Sequence, residues 1–272
     1  HSSLFLALSD KFVFVSNPHV ATNRLVGQIL RWSGHIALHE KNEGLDIEHV
    51  RHYIKLGYCV VVFPEGIRNG RSSIRRFHKG AFQVAEQLNL DIVPVLLHGV
   101  NNVLPRNSVQ VFPGTITMSI RQRIKPNDAA WGEGYVARTR SIHRYYVREY
   151  ASLAAKQETA AYFLPLVKDR YRYKGPEVTS AVRKRLKGIN RYQQQIEAVA
   201  PTTNVMIPND GVGELSLLYA LLHPHNNVWV IEKDGEKVDL LRHAAEGVAP
   251  NLCVVTSREA IDCKGFLTEI NL

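Results

Sequence analysis

The feature that most constrains this chain is a short run, Tyr58-Cys-Val-Val-Val-Phe63, stopped by Pro64-Glu-Gly66. Consecutive apolar side chains without alternation are expected of a strand covered on both faces, and such strands belong to parallel sheets flanked by helices. The residues that follow agree. Phe82, Ala85 and Leu88 fall at helical spacing between Gly80 and about Leu90, and Ile92-Val-Pro-Val-Leu-Leu97 is a second apolar run. Strand, helix, strand in that order predicts a parallel unit with a crossover connection. Further on, Val109, Val111, Ile116, Met118 and Ile120 alternate between Ser108 and Arg121. That pattern predicts a hairpin turning at Pro113-Gly114.

A chain that folds this way must bury a core, and 45% hydrophobic against 22% charged residues allows it. Charge is placed unevenly. Residues 1 to 200 carry 29 basic and 15 acidic side chains, and residues 201 to 272 carry 5 and 10, so that +14 and −5 sum to the net +9. The break suggests two units with different partners, the first suited to an anionic surface or phosphorylated substrate; with the basic helical segment between them set apart, the expected units are 1–135, 136–200 and 201–272. Cys59, Cys253 and Cys263 give neither a disulfide framework nor metal-ligand spacing. The first residue is His1 rather than Met, so a piece of a longer chain is expected.

The middle segment reads as a basic helical linker. Val178, Val182, Leu186, Ile189, Tyr192, Ile196 and Val199 repeat in steps of three and four, as one apolar stripe along a single helix. Arg183, Lys184, Arg185, Lys187 and Arg191 take the other faces. Such a helix packs on its own domain with solvated charges, or lies on an anionic membrane. After Pro201, strands are expected at Asn204–Ile207, Asn227–Glu232 and Leu252–Thr256, with helices at Glu214–Leu222 and Glu236–Glu246 between them. This βαβαβ order is that of a small, partial Rossmann-like unit.

Chemistry concentrates where the first apolar run ends. Pro64, Glu65, Gly66 and Arg68 sit at the carboxyl edge of a sheet, where open α/β sheets bind ligands. Gly66 permits close backbone approach, and the planar Arg68 fork suits phosphate. Arg71, Arg75, Arg76, His78 and Lys79 follow before the next helix. The loop reads as an anion pocket holding one acid, Glu65, or as a turn with one Arg–Glu surface pair.

Val62-Phe-Pro-Glu-Gly-Ile-Arg68 resembles the Phe-Pro-Glu-Gly-Thr-Arg block of the glycerolipid acyltransferases, the 1-acylglycerol-3-phosphate type among them. Arg76-Phe-His-Lys-Gly-Ala-Phe82 and Ile92-Val-Pro-Val95 are similar to that family's next blocks, in order, and the likeness covers roughly residues 1 to 125. It implies an α/β acyltransferase-type mixed sheet flanked by helices. It also implies acyl transfer from acyl-CoA or acyl carrier protein to the hydroxyl of a lysophospholipid or glycerol phosphate, with no further cofactor and no metal. Pro64, Glu65, Gly66, Arg68 and Lys79 would hold the acceptor. The family's catalytic pair, His-x-x-x-x-Asp, would be represented by His1 as general base, but Leu6 stands where the pair needs Asp. Membrane association is implied too, peripheral or through segments not present, at the cytoplasmic face.

Asp210-Gly-Val-Gly-Glu214, between a strand and a helix, resembles the cofactor loop of Rossmann-like methyltransferases. That likeness implies S-adenosylmethionine on Gly211 and Gly213, with Glu232 on its ribose. Ile207 and Asn209 depart from the family's acid and first glycine. The sequence thus offers an acyltransferase, a methyltransferase or a catalytically inactive membrane-surface module. Nucleic acid is not an expected partner, since no recognisable module interleaves aromatics with the basic residues.

Overall fold

A computed structural model describes residues 11–16, 35–37, 47–67, 73–104, 111–198, 203–208, 211–262 and 265–272. The chain forms two compact units: residues 1–97 with 118–151, and residues 98–117 with 152–272.

In the first unit, β1 (Phe12–Ser16) pairs in parallel with β2 (His35–Ala37) on one side and β3 (Cys59–Val61) on the other. The strand covered on both faces is β1, where adjacent Val13 and Phe14 are both buried. The run expected to be that strand is β3, shorter than its apolar stretch. It closes the sheet order β2-β1-β3, so Cys59 is exposed and Val60 half-buried. Among the described residues β3 has a strand neighbour on one side only. Helix α1 (Ile47–Lys55) leads into β3 through a turn in which the Tyr58 amide donates to the Tyr53 carbonyl at 3.0 Å. Val13, Val50 and Val84 form the core between the sheet, α1 and α2 (Gly80–Gln87).

The expected crossover pairing is replaced by another. β4 (Val95–His98) pairs with β5 (Thr117–Ile120), and not with β3. Pro94 supplies no N–H to a ladder, so the strand begins one residue after it. Its carbonyl instead accepts from the Arg121 amide at 2.8 Å. Among the described residues the partner of β5 is β4 and not the first arm of the expected hairpin. Of the other arm, residues 105–110 lie outside the described residues, and the Phe112 amide donates to the Val103 carbonyl of α3 (Val100–Val103).

Helix α4 (Gly134–Gln157) begins in the first unit. There Ile142 and Tyr146 close a small core over Phe77, Phe82 and Ile124. Phe77 stacks on Phe82 at 6.1 Å and meets Tyr146 edge-on at 5.1 Å. The Tyr146 hydroxyl accepts from the Val95 amide at 3.1 Å, and burial pushes its pKa to about 12.

The second unit holds an all-parallel sheet of order β8-β7-β6-β9, made of β6 (Asn204–Pro208), β7 (Asn227–Ile231), β8 (Leu252–Val255) and β9 (Leu267–Glu269). Around it lie α5 (Ala160–Arg170), α6 (Pro176–Lys187), α7 (Gln193–Glu197), α8 (Glu214–Leu222) and α9 (Gly235–Ala245). From Glu214 to Leu221 every side chain of α8 is buried, with α5, α7 and α9 packed against it. The strands and helices expected after residue 203 stand within one residue of their expected places, and β9 is an addition.

The single expected helix over residues 178–199 is broken. α6 ends at Gly188, a 3-10 turn covers Ile189–Arg191, and α7 follows. Its stripe still faces inward: Val182, Leu186 and Ile196 are buried, with Val178, Ile189 and Tyr192 packed against the same core. That core is shared with the sheet. Residues 152–198 are therefore part of one body with residues 203–272, not a linker between bodies.

Candidate functional site

The loop leaving β3 folds back on itself. The Gly66 amide donates to the Phe63 carbonyl at 3.0 Å, closing a turn over Pro64 and Glu65. The returning segment is fastened to it twice. The His78 amide donates to the Pro64 carbonyl at 2.8 Å, and the Arg75 amide donates to Glu65 Oε2 at 2.8 Å. Glu65, expected in the pocket as an acid, thus ties the two halves of the loop together.

Gly66 has φ +70°, and a Cβ there would lie 2.9 Å from the His78 ring. Both the left-handed backbone and the close ring require glycine. Gly66, Ile67, Arg75, Arg76, His78 and Lys79 are each exposed, on two segments fastened together beyond the carboxyl end of β3. Lys79 stands at the N-cap of α2, where a Cβ on Gly80 would meet nothing within 4 Å. A cation at a helix start that no side chain caps suits an anionic group. Phe77, buried between its neighbours, anchors this segment from below. Arg68, Arg71 and His1 lie outside the described residues.

His98 lies at the end of β4. It is buried in the second unit, its Nε2 lies 2.8 Å from Glu158 Oε1, and its ring stands 5.4 Å from that of Tyr162. Nothing in the local sequence signals this pair, because its members are 60 residues apart.

The glycine loop of the second unit is occupied by the protein itself. The Arg185 guanidinium lies against Gly211, where any Cβ would collide with Nη1. Its Nε pairs with Glu214 Oε1 at 3.1 Å, while Glu214 Oε2 accepts from the Val212 amide at 3.3 Å. Gly213 caps α8 with Leu241 packed on it. Glu232 Oε1 accepts from the amides of Lys233 and Asp234 at 2.8 and 2.9 Å. Sequence reading placed Arg185 among solvated charges. The signal it passed over was Glu214, an acid heading the apolar stretch Leu215-Ser-Leu-Leu-Tyr-Ala-Leu221, which once buried needs a cation.

Residues 2–98 match the family model described as Acyltransferase. That span holds the β3 loop and its returning segment. A 1-acyl-sn-glycerol-3-phosphate acyltransferase of Cocos nucifera is 29% identical over 140 residues, covering 50% of this chain and 45% of that protein. One from Chlamydomonas reinhardtii is 27% identical over 127 residues, covering 45% and 38%. The chain thus spans less than half the length of either. The crystal structure of the 1-acyl-sn-glycerophosphate acyltransferase PlsC from Thermotoga maritima is similar over 53% of this chain and 58% of that one, with 17% identity and a TM-score of 0.44.

Proposed function

We propose that this chain moves a fatty acyl group from acyl-CoA or acyl carrier protein to the free hydroxyl of a lysophospholipid such as lysophosphatidate. The observation that carries the reading is the β3 loop. The Pro64-Glu-Gly66 turn is pinned to a returning segment rich in cations, inside the stretch that matches acyltransferases. Arg68 would clamp the acceptor phosphate, with Gly66 and Lys79 beside it. A general base, His1 in this chain, would take the hydroxyl proton as the oxygen attacks the thioester carbonyl and the thiol leaves. The acceptor is an amphiphile, so the reaction would run at a membrane surface, on its cytoplasmic face.

Transfer of radiolabelled acyl groups to lysophosphatidate tests this. Arg68→Ala should lower turnover by about 30-fold or more, since losing a desolvated phosphate partner costs ~2–5 kcal/mol. Unchanged turnover would remove Arg68 from the site.

The strand order of the second unit supports the Rossmann-like description. What stands against S-adenosylmethionine in its loop is that Arg185 fills the space at Gly211 and that Glu232 Oε1 already accepts from the amides of Lys233 and Asp234. We assign this unit no methyl-transfer step.

A further inference from the structure

α6 buries its apolar stripe and turns a cationic face outward. Between Lys168 and Arg191 the sequence holds nine basic and two acidic residues. Three of the nine are spoken for: Arg170 donates to the carbonyls of His243, Ala244 and Glu246, Arg185 pairs with Glu214, and Arg172 lies 3.7 Å from Asp169 Oδ1. Arg183, Lys184 and Lys187 are exposed, and among the described residues none of them has an acidic partner. Together with Arg172, Tyr173 and Thr179 they line an open groove of ≈720 Å³. The start of α6, with Gly175 at its N-cap and no side chain capping it, opens into the same groove. Tyr173 is 80% exposed, with the Arg172 guanidinium 5.4 Å over its ring.

We propose that this groove docks the chain on the surface of an anionic phospholipid bilayer. The reading deepens the membrane part of the proposed function, by naming the surface that meets the lipid. The apolar face of α6 is committed to the core, so the helix does not insert; the attraction is between its cations and lipid phosphates. The cations are all exposed, without the buried, hydrogen-bonded cradle of a tight small-ligand phosphate site. Such an array fits an extended layer of negative charge. Tyr173, an aromatic ring with a polar tip standing in water, fits the headgroup level of a bilayer. A lone exposed aromatic does not make the stacking platform of a single-strand binder.

The test is co-sedimentation of the whole chain with vesicles of phosphatidylglycerol mixed with phosphatidylcholine, against phosphatidylcholine alone. Binding should require the anionic lipid and be lost at high salt. Each cation removed should weaken it about fivefold, so that Arg183→Gln, Lys184→Gln and Lys187→Gln together weaken it about a hundredfold. These side chains are exposed, and an unchanged unfolding midpoint would show that the variant folds. Lys184→Glu with Lys187→Glu provides a second, stronger variant. Equal binding to both vesicle types, triple-variant binding like the parent's, or preference for a DNA duplex at the same salt would each overturn the proposal. Acyl transfer to a short-chain, water-soluble lysophosphatidate should be unaffected by these substitutions. Loss of transfer in Arg68→Ala with vesicle binding intact would separate the two claims.

Discussion

At the scale of single residues, the β3 loop depends on what Gly66 lacks. An alanine there must hold a left-handed backbone and displace the His78 ring. Gly66→Ala should cost ~1–2 kcal/mol of stability and lower acyl transfer further, because His78 belongs to the segment fastened to Pro64. Gly80→Ala is the control, since its Cβ enters open space at a helix start, where alanine is neutral or stabilising. Denaturant unfolding and turnover of the two variants, compared side by side, check this; equal effects would contradict it. The sequence disclosed Gly66 as a site residue. It did not disclose Glu65 as a tie to Arg75, because a carboxylate beside a phosphate-binding arginine reads equally as ligand or as brace.

At the scale of elements, α7 and α8 are joined by His223, the C-cap of α8, whose Nε2 lies 2.7 Å from the Ile196 carbonyl. Burial holds the imidazole below its ordinary pKa, opposed in part by that carbonyl. The folded state therefore resists a proton that the unfolded state accepts. The stabilising contribution is complete above the unfolded value near 6.5 and is lost as pH falls from there through the folded value. The unfolding midpoint should drop on acidification below about pH 6.5, and His223→Gln should flatten that part of the profile. An identical slope in the variant would exclude His223 as its source. Elements of the second unit were legible in the sequence because each carried a full signal. Asn204 to Ile207 and Glu214 to Leu222 are bounded by turn residues and long enough to show a period. β9 was not, since three residues show none. Alternation at Thr117–Ile120 reports a strand without naming its partner. β4 is that partner, and its register begins after Pro94.

At the scale of the molecule, the charge break near residue 200 is not a structural boundary. Arg185 reaches across it to Glu214, and Arg170 holds the carbonyls that end α9. Opposite charge along the chain here marks two faces of one body, a basic helical layer on an acidic sheet unit. A sum over the sequence cannot tell complementary faces from separate domains. The first unit carries the candidate site, on a loop whose defining turn rests on local amides and a glycine. The central claim is that this loop seats a phosphorylated glycerol. Equilibrium binding of a short-chain lysophosphatidate and of the matching monoacylglycerol, to the parent chain and to Arg68→Ala, measures it most directly. A preference for the phosphorylated ligand of about 30-fold or more, lost in Arg68→Ala, is the predicted result; equal affinity for the two ligands, or a preference that survives the substitution, would contradict it.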